Sequence, residues 1–150
     1  MGLIIILLAV NCSKDQNSFL PYVKVDLYIP LANYNQLTIP GNSILFKGYG
    51  FNQYGVIVVC VNPDLGLYYA YDACCPYETD HSGIIEIEPI KNFPAPDNLV
   101  YSSAFFGTCN KCKSKFNLMG SGQPVNGSLA THYLQNYNIS IGMGSLTVTN

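Results

Sequence analysis

The sequence predicts an all-β domain of short antiparallel strands, and three features carry that reading. Val, Ile and Tyr, which fit a pleated and half-buried surface, recur in short runs. Gly, Pro and Asn punctuate those runs where tight turns need positive φ or a fixed turn entry. Long-chain helix formers rarely fall into periodic runs.

Taken in order, the alternation of Val23, Val25 and Leu27 marks a first strand. A second covers 44–46, after the turn Pro40-Gly41-Asn42. The runs 56–61 and 67–71 are joined through Asn62-Pro63-Asp64 and Leu65-Gly66, as in a hairpin. Strands at 84–87 and 100–106 flank an excursion loop, 89–98, which holds Pro89, Pro94 and Pro96. The runs 115–118, 137–141 and 146–148 complete the set, and the short connections read as a meander of hairpins. Strand spacing fits a sandwich and a small barrel equally well.

A chain of 150 residues has room for one domain, burying roughly 70% of its unfolded surface. Seven Lys plus Arg and a net charge of -2 supply no basic stripe to neutralise phosphates, so nucleic acid is excluded as a partner. Charged residues are 11% of the chain while Tyr numbers 12, which leaves the surface to Tyr, Asn, Ser, Thr and Gly and suits an extracytoplasmic setting.

The apolar run 3–10 is far shorter than the roughly 20 residues of a membrane-spanning helix, and it stops at Asn11-Cys12-Ser13-Lys14-Asp15. An apolar run ending at a cysteine resembles the lipobox of bacterial lipoproteins. That resemblance implies an acylated Cys12 as lipid anchor and a bacterial cell envelope location, with the membrane as a partner. Asn11 departs from the usual small residue, and no Lys or Arg precedes the run. An ordinary cleaved signal peptide and a hydrophobic first strand are the competing readings. The lipoprotein reading divides the chain into a signal segment 1–12, a tether 13–18 and a β domain 19–150.

Five further cysteines are unevenly placed. Cys60, inside Val58-Val59-Cys60-Val61, reads as a buried core thiol. The other four fall at two turns that follow strands: Ala73-Cys74-Cys75-Pro76-Tyr77-Glu78, and Cys109-Asn110-Lys111-Cys112-Lys113-Ser114-Lys115-Phe116. Cys75-Pro76-Tyr77 resembles the Cys-x-His loop of Rieske iron–sulfur domains. Cys109-x-x-Cys112 with Ser114 and Phe116 resembles their Cys-x-x-His loop and its Gly-Ser-x-Phe continuation. The flanking hairpin 55–72 and the exit through Gly120, Gly127, Leu134, Tyr137 and Ile139 extend the resemblance over about 40–150. It implies an antiparallel sandwich with a small cluster-binding-like subdomain, a 2Fe-2S cluster, and electron transfer with an unknown redox partner.

Tyr77 and Cys112 stand where that family carries its two imidazoles, which leaves three readings open. Cys74, Cys75, Cys109 and Cys112 could give four thiolates to a 2Fe-2S cluster or to zinc, both of which take sulfur tetrahedrally, although adjacent Cys74 and Cys75 diverge on a strand. Tyr77 or His81 could also complete such a site. Alternatively the cluster is lost and the loops are stapled by a disulfide such as Cys75 to Cys109, giving a cluster-free surface binding or structural module. The third reading, a Cys109–Cys112 redox disulfide, lacks the βαβ setting of such centres.

The resemblance gives Ser114 a hydrogen bond toward a bridging sulfide; loop capping is its other role. His81 reads as a solvated turn residue, and neither it nor His132 has the spacing to a cysteine that the family loops require. No catalytic triad is legible, so catalysis by this domain is not expected. Tyr68, Tyr69 and Tyr71 read as strand residues, with a glycan-binding face as a separate class of function.

Overall fold

The computed structural model describes residues 20–150. Cys12, the signal segment and the tether therefore lie outside the described residues. Among those residues are ten strands: β1 (Asp26–Pro30), β2 (Ser43–Phe46), β3 (Val56–Asn62), β4 (Leu67–Asp72), β5 (Ile85–Pro89), β6 (Leu99–Cys109), β7 (Lys115–Asn117), β8 (Gln123–Pro124), β9 (Asn138–Gly142) and β10 (Ser145–Thr149). Every pairing is antiparallel. Helical structure among the described residues is confined to single 3-10 turns at Leu31–Asn33, Asn35–Thr38 and Phe51–Gln53, and no helix is long and apolar enough to cross a membrane.

The strands follow the period-two pattern, but β3 applies it twice. Val56, Val58 and Cys60 point into one core, while Ile57 and Val59 point into another. β2 does the same, with Ile44 and Phe46 on one face and Leu45 on the other. A strand buried on both faces reads as a continuous apolar run rather than an alternation, which explains the unbroken 56–61 stretch. Cys60 is fully buried in the first core, as expected of a structural thiol.

The first core is closed by a three-stranded sheet, β1-β10-β9, whose Leu27, Ile29, Leu146 and Val148 pack over the larger sheet. The larger sheet runs β4-β3-β2-β6-β7-β8, with β5 beside β6. β6 is the long element that joins two parts: its start pairs with β2 through Leu99–Ser102, and its end lies between β5 and β7. This smaller β5–β6–β7–β8 portion covers the second core and carries both cysteine turns. Two packed layers with a small subdomain at one end is the arrangement that the sequence resemblance implies.

Two expectations need correction. The chain is not a simple meander, because β1 leaves β2 to pair with β10, and β2 sits between β3 and β6. The first strand also starts later than Val23. The Val25 N–H donates to Asn150 Oδ1 at 2.6 Å, and Asn150 Nδ2 donates to the Val23 carbonyl at 2.7 Å, so a side chain takes the place of ladder partners there.

Candidate metal centre

Each cysteine turn is fastened to the chain just before and at the start of β5. On one side, Cys75 N–H donates to the Gly83 carbonyl at 2.9 Å and Ile85 N–H to the Ala73 carbonyl at 2.7 Å. On the other, Asn110 N–H donates to the Ile84 carbonyl at 2.9 Å, and Ile84 N–H donates to Asn110 Oδ1 at 3.0 Å. Residues 83–85 thus act as a common rail that fixes the spacing of the two turns. Gly83 is required by close approach: a Cβ there would stand 2.9 Å from Cys109 Sγ and 3.0 Å from Cys75 Cβ.

The second turn closes on itself, with Cys109 N–H donating to the Ser114 carbonyl at 2.9 Å and Lys113 N–H to the Cys109 carbonyl at 3.1 Å. Lys113 adopts φ +60 to make that reversal. The result brings three sulfurs together: Cys75, Cys109 and Cys112 Sγ all lie within 4.8 Å of one another, and Cys75 and Cys112 are 3.7 Å apart. Cys75 and Cys109 are fully buried in the second core among Phe116, Leu118, Ala130 and Leu134, while Cys112 is half-buried and packs against that core.

The Cys75 and Cys112 thiols are shifted in opposite directions. Burial, reinforced by the neighbouring Cys109, pushes the Cys75 thiol up from its ordinary value. Burial also opposes ionisation of Cys112, but hydrogen bonds from the Ser114 hydroxyl and backbone and from the Cys109 and Cys75 thiols outweigh it, so its net direction is down. Cys112 therefore carries charge more readily than Cys75. Ser114 Oγ lies 3.2 Å from Cys112 Sγ and also accepts the Ala130 N–H at 2.9 Å, so it holds the sulfur and the exit segment together.

Cys74 is outside this group. Its Sγ is turned to the carbonyls of His81, at 3.6 Å, and Cys75, at 3.9 Å. Burial, then the charge of Asp72, pushes its thiol up to about 12. Adjacent residues at a strand end point to opposite sides, and the sulfurs that converge are those of Cys75, Cys109 and Cys112, without Cys74. Tyr77 is exposed, and His132 is exposed in the exit segment. His81 adopts φ +53 and packs edge-on against the Phe51 ring at 5.3 Å, with its Nδ1 buried and without a hydrogen-bond partner. The five described cysteines beyond residue 19 are all free thiols.

Sequence reading missed the supports: Gly83, Asn110, Ala130 and Asp72. Asp72 is fully buried at the end of β4, where Oδ1 accepts Cys74 N–H at 2.7 Å and Oδ2 accepts Phe51 N–H at 2.7 Å and the Tyr137 hydroxyl at 2.5 Å. Burial raises its carboxyl above the ordinary value, against the pull of these three donors. A carboxyl raised on folding favours the native state below its unfolded value, and that contribution is lost as pH rises through the folded value. Denaturant titrations over a pH series should show wild-type stability declining through that window relative to Asp72→Asn; parallel curves would contradict the assignment.

The sulfur spacing fits that of a tetrahedral thiolate site. Metal–sulfur bonds of about 2.3 Å in a tetrahedron put sulfurs about 3.8 Å apart, close to the Cys75–Cys112 separation of 3.7 Å. Three sulfurs around one point can hold a metal ion. A 2Fe-2S cluster needs two ligands on each of two irons, and this trio is one short of that number.

No protein-family model and no curated protein matches the chain. Among solved structures it is similar to a chain of the complex of reduced oxygenase and oxidized ferredoxin in carbazole 1,9a-dioxygenase, with 17% identity and a TM-score of 0.47 over 83% of this chain and 92% of that one. It is also similar to the ferredoxin of carbazole 1,9a-dioxygenase from Nocardioides aromaticivorans IC177, with 13% identity and a TM-score of 0.43 over 85% of this chain and 97% of that one.

Proposed function

We propose that Cys75, Cys109 and Cys112 hold an iron centre and that the chain is an electron-carrying protein tethered to the outside of a bacterial membrane through Cys12. The observation that carries the reading is the convergence of three thiols from two distant turns on one point, at one end of a rigid β scaffold. Soft thiolates select iron–sulfur chemistry, zinc and copper(I) over harder ions, and iron supplies the one-electron couple that a carrier needs. Ser114 would donate to the Cys112 thiolate, and Gly83 and Asn110 would keep the turns at ligand spacing. The tether rests on the apolar run that stops at Cys12.

Zinc is the second reading, favoured by the fit of the 3.7 Å sulfur spacing to a single tetrahedral ion. Metal analysis of anaerobically purified full-length protein, with visible spectroscopy and a thiol titration on one sample, separates the two. Stoichiometric iron with reversible bleaching on reduction supports the carrier. Stoichiometric zinc without colour supports a structural site. Metal-free protein that takes up neither ion when reduced would remove both readings, and the absence of acyl label on wild-type protein would remove the tether.

Ser114→Ala is expected to weaken metal binding by roughly 10–100-fold, the usual cost of losing a partner that orients a ligand. Competition with a chromophoric chelator measures it. Ser114→Thr, which keeps the hydroxyl, should recover most of the loss.

A further inference from the structure

We propose that Cys75 and Cys112 form a reversible disulfide, so that the ligand set doubles as an oxidant-sensitive dithiol which releases its metal when oxidised. The loss of metal rests on the site reading above; the disulfide itself does not. Their sulfurs are 3.7 Å apart across 37 residues of sequence, in turns already pinned to the same rail, so closure to the roughly 2.05 Å of a disulfide is a local movement. Accessibility divides the labour. Cys112 is half-buried at the surface, whereas Cys75 and Cys109 are fully buried, so an external reagent meets Cys112 first and Cys75 lies behind it. Cys74 faces the His81 carbonyl and is not placed to resolve a bond on Cys112.

The co-reactant is a small-molecule disulfide. The Cys112 thiolate attacks one of its sulfurs, the reagent's S–S bond breaks, and one thiolate leaves and takes up the proton that Cys112 gave up. Cys75 then loses its proton and attacks Cys112 Sγ in the mixed disulfide, expelling the second thiolate, which takes that proton. Two electrons pass from the protein, one Cys75–Cys112 bond forms, and the reagent ends as two thiols. Both sulfurs are then unavailable to a metal, and an added dithiol reverses the sequence.

Metal-free full-length protein incubated with excess oxidised glutathione should lose two free thiols, and non-reducing peptide mapping should join the Cys75 and Cys112 peptides. Zinc uptake should fall at least tenfold and return on addition of dithiothreitol. Cys75→Ser should stop at glutathione bound to Cys112, and Cys74→Ala should still form the bridge. A bridge mapped to Cys109, or no loss of thiols, overturns the proposal. Bridge formation in a protein that binds no metal when reduced would reject the metal-site reading and leave the dithiol standing; metal binding without a bridge would do the reverse.

Discussion

Cys109→Ala is expected to abolish stoichiometric metal binding, while Cys74→Ala leaves it intact. With three thiolates on the ion, removal of one leaves two, a loss that exceeds the roughly 10–100-fold cost of removing an outer partner. Cys109 is fully buried beside Gly83, so no other donor can slide into its place without moving the rail. Cys74 has the opposite character: its sulfur points at the backbone carbonyls of His81 and Cys75 and lies outside the group of three. Cobalt(II) titration reads both variants through the thiolate charge-transfer band, which should vanish in the first and persist in the second. Equal loss of the band in the two would put Cys74 on the ion and undo the geometric assignment. Cys60→Ala serves as a further control, since its sulfur belongs to the other core.

What the sequence made legible here is local, and what it hid is the result of long-range packing. The strands at 44–46, 56–61, 67–71 and 115–118 coincide closely with β2, β3, β4 and β7, because the first three are apolar runs near turn residues and the last alternates polar and apolar residues. β8, two residues long, has no run to detect. The pairing of β1 with β10 joins opposite ends of the described chain, and no local signal encodes it. At the site, the resemblance to the two Rieske loops pointed to Cys74, Cys75, Cys109 and Cys112, and the structure draws the last three together. The position of Cys74 depends on which side of the strand end each sulfur takes, and its sulfur turns to the His81 and Cys75 carbonyls while its N–H donates to the buried Asp72 carboxyl. Gly83 looked like an ordinary turn glycine; only its contact with a sulfur from a turn 26 residues away gives it a role.

The two cores should respond differently to the same kind of damage. Phe116 is fully buried on β7, opposite Gly107 of β6, and its ring fills the second core against the cysteine turns. Phe116→Ala should cost about 3–5 kcal/mol, the range for a buried aromatic truncated to leave a cavity. For a domain of this size that is a fall of roughly 10–20 °C in Tm. Leu146→Ala, on β10 in the first core, should cost about 2–5 kcal/mol. Their metal dependence separates them. A ligand that binds only the native state raises Tm by an amount set by its affinity, so Leu146→Ala, with its site untouched, should gain as much from saturating zinc as wild type does. Phe116→Ala should gain less, because the cavity lets the turn between β6 and β7 relax and weakens the hold on the ion. Calorimetric scans with and without zinc compare the two increments. Identical increments would mean that the β3 layer transmits strain between its faces and that the site is not built on the second core alone.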